Sequence, residues 1–195
     1  MQFSDFVKKL HASDSVTIAD MVAVLDAYHA GLGEIQIIPV PFDPPVGEAF
    51  FRRIETDRTS AYEEEFWNVA VYYCADLDNH PKQRRYVLAK ELMHAFDPPE
   101  SWASDKEKFI RLLKDIQNEP LPEDRTPVFS AEIETRWKAL VALCPIGPRA
   151  EFTERFNAGE MEEYEIASHF GVPTWTVQYI VDDYFVQASE RLLGS

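Results

Sequence analysis

Cysteine and glycine are both scarce in this chain, and their scarcity closes off several chemistries. The two cysteines, Cys74 and Cys144, belong to no CxxC pair. They read as buried free thiols, because a free cysteine packs as a small apolar side chain. Only seven glycines are present, and no GxSxG, P-loop or dinucleotide-type glycine pattern occurs. Serine-nucleophile hydrolysis and glycine-cradled phosphate binding therefore have no supporting motif. No apolar run of about 18 residues exists, so no membrane-spanning helix is expected. The N-terminal stretch MQFSDFVKKLHASDS lacks the apolar core of a signal peptide, which makes a cytoplasmic protein the expectation.

Positive charge is also in short supply. The 19 Lys and Arg face 34 Asp and Glu, leaving a net charge of −15. Such a chain repels phosphate backbones unless basic residues gather on one face. The densest basic run, Lys82-Gln83-Arg84-Arg85, is four residues long, so direct nucleic-acid binding is not expected. The acidic runs, Glu63-Glu64-Glu65 and Asp182-Asp183 among them, read as solvated surface or as a face for a basic protein partner. What remains is globular: a hydrophobic fraction of 46% excludes disorder, and 195 residues suffice for one substantial core.

Apolar periodicity divides the chain into helices, a few strands, then helices. A short helix is expected over residues 3–11. A second, over 16–30, carries Ile18, Met21, Val22, Leu25 and Tyr28 on one face, with Asp14 or Ser15 as cap and Gly31 and Gly33 at its end. Residues 35–40, 49–55 and 66–74 read as strands, with FDPPVG as a turn after the first. Asp76 to Pro81 reads as a loop. A helix follows over 82–96, with Val87, Leu88, Leu92, Ala95 and Phe96 on one side, stopped by Asp97-Pro98-Pro99. The next, over 104–117, opens with Ser104 and Glu107 in a capping-box pattern. A loop containing Pro120, Pro122 and Pro127 leads to a helix from Ser130 to Cys144, with Ile133, Trp137, Leu140, Val141 and Cys144 as its buried stripe. Helices over 149–157, 162–170 and 174–193 complete an α+β chain.

One segment carries chemistry. A zinc-peptidase helix uses His-Glu-x-x-His, whose i and i+4 imidazoles share a face and bind one ion while the glutamate deprotonates its water. Here the segment reads Lys90-Glu91-Leu92-Met93-His94: glutamate and second histidine are present, and lysine replaces the first. A third ligand is normally a carboxylate from a later helix, and Glu132 and Glu134 are both candidates. His80, ten residues before Lys90, is a further histidine near enough in sequence to reach. A lysine of ordinary pKa is a cation with no lone pair at pH 7 and repels a divalent ion.

Arg85, Ala89, Glu91, Leu92 and His94, preceded by a strand, resemble the R-x-x-x-A-H-E-L-x-H helix of the ImmA/IrrE family of metallopeptidase-like proteins. Glu132, Glu134, Ala139, Leu143 and Pro145 fall on that family's second helix pattern, E-x-E-A-x-x-F-A-x-x-L-L-x-P. Thr135 stands where alanine is usual and Lys138 where phenylalanine is usual. The resemblance spans roughly residues 66–180. It implies a zincin-like core of helices and a small sheet over 1–146, and a helical, helix-turn-helix-like C-terminal segment over 147–195 packed on it. It further implies a zinc peptidase or a regulator that inactivates helix-turn-helix repressors of mobile elements. With Lys90 in a ligand position, the expectation is a pseudoenzyme: Glu91 a vestigial general base, His94, Glu132 and Glu134 vestigial ligands, and no cofactor, with zinc only if the site still functions. The alternatives are an active zinc endopeptidase acting on a repressor, and a phage or mobile-element interaction protein sharing only the fold. In the C-terminal segment, Ala167, Gly171 and Val177 have helix-turn-helix spacing. Its second helix offers only Gln178 to a base and carries Asp182 and Asp183, so Trp175 and Tyr179 are expected to contact a protein partner instead.

Overall fold

The computed structural model describes residues 1–12, 16–41, 48–55, 67–102, 106–118 and 124–194. Helices α1 (Phe3–Leu10) and α2 (Ile18–Tyr28) lead into strands β1 (Leu32–Val40), β2 (Ala49–Glu55) and β3 (Trp67–Cys74). Then come α3 (Pro81–Leu92), α4 (Lys106–Asn118), α5 (Pro127–Leu143), α6 (Ile146–Asn157), α7 (Glu163–Phe170), α8 (Val177–Val181) and α9 (Asp183–Leu193). The order of helices, strands and helices is the expected α+β arrangement. Among the described residues, no helix is long and apolar enough to cross a membrane.

The sheet has the order β1-β3-β2, with β1 parallel and β2 antiparallel to β3. The central strand is the one whose sequence is most continuously apolar. Val69, Ala70 and Val71 are all buried, as a strand covered on both faces requires. Gly33, expected beyond the end of α2, lies inside β1, where the register slips between Leu32 and Ile35. A strand glycine tolerates that irregularity. One hydrophobic core takes in Phe6, Leu25, Val71, Leu92 and Leu143, and with them Ile166 and Phe185 from the C-terminal helices. Phe96 holds α1 to the segment after α3, its ring 5.4 Å from Phe3 and 5.2 Å from Phe6.

Several local expectations are corrected. The cap of α2 is Thr17, which with Asp20 forms a capping box; Asp14 and Ser15 lie outside the described residues, as do Ser104 and the FDPPVG segment. Tyr28 is exposed rather than buried, with the Lys9 ammonium 3.8 Å over its ring. The loop expected after β3 contains a 3-10 turn, Ala75–Asn79. α5 starts earlier than Ser130, capped by Thr126 with Pro127 in the first turn, where proline's missing N–H costs nothing. The long terminal helix is three pieces: a 3-10 turn Thr174–Thr176, then α8 and α9. Asp182 breaks the latter two by taking an extended conformation and accepting a hydrogen bond from the Tyr184 N–H. Cys144 is buried, and Cys74 only partly so.

Candidate functional site

Helix α3 is more central than a one-sided stripe implies. Pro81 opens it, and Tyr86, Val87, Leu88 and Ala89 are all buried, so four successive residues face protein on every side. It packs across the sheet and against α5. That placement carries Lys90 and Glu91 into the interior, where charges require partners. At Leu92 the helix tightens into a 3-10 turn, Met93–Phe96, and stops at Asp97-Pro98. The turn brings the Asp97 carboxylate back beneath His94.

The Lys90 ammonium lies between two carboxylates, 2.8 Å from Glu91 Oε1 and 2.6 Å from Glu132 Oε1. His94 takes up the remaining oxygens: its Nε2 is 3.4 Å from Glu132 Oε2 and 3.8 Å from Glu91 Oε2. Its Nδ1 is 2.6 Å from Asp97 Oδ2. Beyond Asp97 stands Lys138, buried, 3.8 Å from Asp97 Oδ1 and 2.8 Å from Glu134 Oε1. Arg53, on β2, donates from Nη2 to the His94 carbonyl at 2.7 Å and stacks its guanidinium 3.9 Å over Trp102. Three cations (Lys90, His94, Lys138) thus meet four carboxylates (Glu91, Glu132, Glu134, Asp97), with Arg53 alongside on the His94 carbonyl.

The electrostatics follow from this packing. Burial by itself lowers the His94 pKa, but the hydrogen bonds to Asp97 and Glu132 and the charge of Glu91 outweigh it, raising it to about 9. His94 is therefore an imidazolium at neutral pH, donating from both nitrogens. Burial also opposes the charged form of Lys90, and the charges and hydrogen bonds of Glu91 and Glu132 overcome it and hold the ammonium charged. Burial pushes Glu132 up, while the hydrogen bond from His94 and the Lys90 charge hold it well below the usual carboxylate range.

Of the two carboxylates considered for the third position, Glu132 faces Lys90 and His94, and Glu134 pairs with Lys138 on a half-exposed side chain. Glu91, His94 and Glu132 converge, but not as a cradle for an ion: among the described residues no three His, Cys, Asp or Glu side chains are placed to hold a metal. In this arrangement the Lys90 ammonium lies on the oxygens that Glu91 and Glu132 turn toward each other. His80 sits exposed at the start of α3, and no described contact joins it to the cluster. Of the other histidines, His11 bonds the Ala142 carbonyl, His169 packs on Phe152, and His29 lies beside the cluster, edge-on to Phe96 at 5.7 Å and within electrostatic reach of Arg53.

Trp175 and Tyr179 are exposed, at 48% and 43%. Trp175 meets Tyr86 edge-on at 5.2 Å and Tyr179 meets Trp137 at 6.2 Å, so their rings lie over the junction of α3 and α5. Ala167 and Val177 are core, and Gly171 is the left-handed residue closing α7. Asp97, Lys138 and Arg53 join the site without a motif to mark them. Asp97 reads in sequence only as part of a helix stop, and Arg53 as one residue of a strand. Lys138 did leave a signal, as a charge at a position where the resembled pattern has phenylalanine. No family model matches this chain, and neither a curated protein nor a solved structure does.

Proposed function

We propose that this protein is a non-catalytic relative of the ImmA/IrrE metallopeptidases, in which the Lys90 ammonium stands in for the metal ion and the chain works through contact with another protein. The observation that carries this is the seat of Lys90 between Glu91 and Glu132, at the position the motif gives to the first zinc ligand. An ammonium there ties α3 to α5 as a shared ion would, without an open coordination position or an activated water. Lys138 supports the same reading. It is the second charged departure from the family pattern, and it belongs to the same cluster. Two lysines placed on one carboxylate network suit a site kept for structure rather than for hydrolysis.

The aromatic surface made by Trp175 and Tyr179 over the α3–α5 junction is the contact face in this reading. Exposed aromatic side chains anchor protein interfaces well because they bury much area for few rotatable bonds. The partner class, a helix-turn-helix repressor, follows from the family resemblance. Elemental analysis of protein dialysed against zinc tests the proposal: a content far below one ion per chain is expected. Near-stoichiometric zinc that chelators remove would instead support a zinc endopeptidase with an unusual ligand.

A further inference from the structure

On the far side of the ion cluster a cleft of about 600 Å³ opens, within the range of small-molecule sites. Trp67 and Trp102, in edge contact at 5.8 Å, form part of its wall, with Phe96 beside them. Its charged lining is unusual for a chain of net charge −15. Three cations, Arg53, Lys138 and Arg191, outnumber the two acids, Asp97 and Glu134. Two of its lining side chains keep a buried atom without a hydrogen-bond partner: His29 Nδ1, and Asp97 Oδ1, which Lys138 Nζ at 3.8 Å faces from beyond bonding distance. A buried carboxylate oxygen without a donor is costly, and a ligand that brings one relieves that cost.

The lining selects among ligands. A metal cation meets Arg53 and Lys138, and a simple anion meets Asp97 and Glu134. A zwitterion satisfies both signs if its opposite charges lie close together. Asp97 and Arg53 are near enough for the carboxylate to act on the guanidinium, yet they make no ion pair with each other. A molecule carrying ammonium and carboxylate on one carbon fits between an acid and a base placed in that way. The tryptophan wall then takes an apolar side chain.

We propose that this cleft binds a free α-amino acid with a large apolar side chain, its ammonium donating to Asp97 Oδ1, its carboxylate held by Arg53, and its side chain against Trp67 and Trp102. The site lies beside the ion cluster, and Asp97, Glu134 and Lys138 belong to both, so occupancy reaches the cluster through these shared side chains.

Titration of the full chain with L-phenylalanine, followed by tryptophan fluorescence and calorimetry, tests this. Binding with a Kd of about 1 mM or tighter is expected. Phenethylamine, which lacks the carboxylate, and 3-phenylpropionate, which lacks the ammonium, should each bind at least about tenfold more weakly, the equivalent of one lost charged hydrogen bond. Arg53→Met should weaken L-phenylalanine more than phenethylamine, since only the former offers a carboxylate to the guanidinium. The analogue comparison needs no variant, so it stands even where Asp97→Asn fails to fold. No saturable binding of L-phenylalanine, or equal binding of all three compounds, would overturn the proposal. The second outcome would reduce the cleft to an apolar patch.

Discussion

Two buried charged regions of this protein solve the same problem differently. In the Lys90 cluster, cations on α3 and α5 are matched to carboxylates, side chain against side chain. At the junction with the C-terminal helices, two arginines are sunk into the protein with backbone carbonyls as partners. Arg85 donates to the carbonyls of Val16, Phe170 and Gly171, the last at 3.0 Å. Arg149 donates to Ile180 O at 2.6 Å and Asp182 O at 2.8 Å. Most of those carbonyls end helices, where unpaired C=O groups concentrate partial negative charge. A guanidinium bound to carbonyls has no protonation state to exchange and no ion to release. A cluster of lysine, histidine and carboxylates does exchange protons. The arginine junctions therefore read as joints of the fold, and the Lys90 cluster as its titratable region.

The contrast can be broken at each end. Lys90→Met should cost the most, about 3–5 kcal/mol in denaturant unfolding, because it leaves two buried carboxylates short of a cation. Adding Glu132→Gln should return part of that loss, since the second change removes the charge left stranded. A double variant no better than the single one would mean that Lys90 and Glu132 do not act as a pair. The cluster should also show pH dependence. The His94 pKa in the folded protein, about 9, lies above its ordinary 6.5. Its contribution is then fully present below about pH 6.5 and is lost as pH rises through about 9, on the order of 3 kcal/mol. Side-chain NMR should find His94 titrating on the alkaline side; an ordinary midpoint would contradict this.

The arginine joints should respond less and without pH dependence over the same range. Arg85→Met should cost about 2–3 kcal/mol by leaving carbonyls unsatisfied. Gly171→Ala should cost about 1–2 kcal/mol, with unchanged ion chemistry at Lys90. Gly171 has φ +61°, and a Cβ there would come within 2.9 Å of Arg85 Nη1, so both backbone and neighbour resist it. A neutral Gly171→Ala would show that the arginine can shift freely, and the joint would lose its meaning.

Much of the fold is legible in the residues. The three strands and the helices follow from periodicity and turn chemistry, because apolar spacing is a local property. Pairing is not local: that β3 is central, or that Asp182 splits the last helix, depends on what packs against them. In the site, Lys90, Glu91 and His94 are visible because one helix places them at fixed spacing. Glu132 and Glu134 are visible only as a pair of equals, and α5's rotation decides between them. Asp97 and Arg53 reach the site through a 3-10 turn and a strand, with no spacing rule to announce them. Lys138 is the instructive case, since its oddness shows in sequence while its partner does not.

The most direct test is zinc uptake by Lys90→His. The variant places an imidazole beside His94 and Glu132 and removes the ammonium between the carboxylates. Elemental analysis of the purified variant should find close to one chelator-removable zinc per chain, with the parent protein well below that. A variant that folds and takes up no zinc would show that Lys90 does not occupy a metal's place.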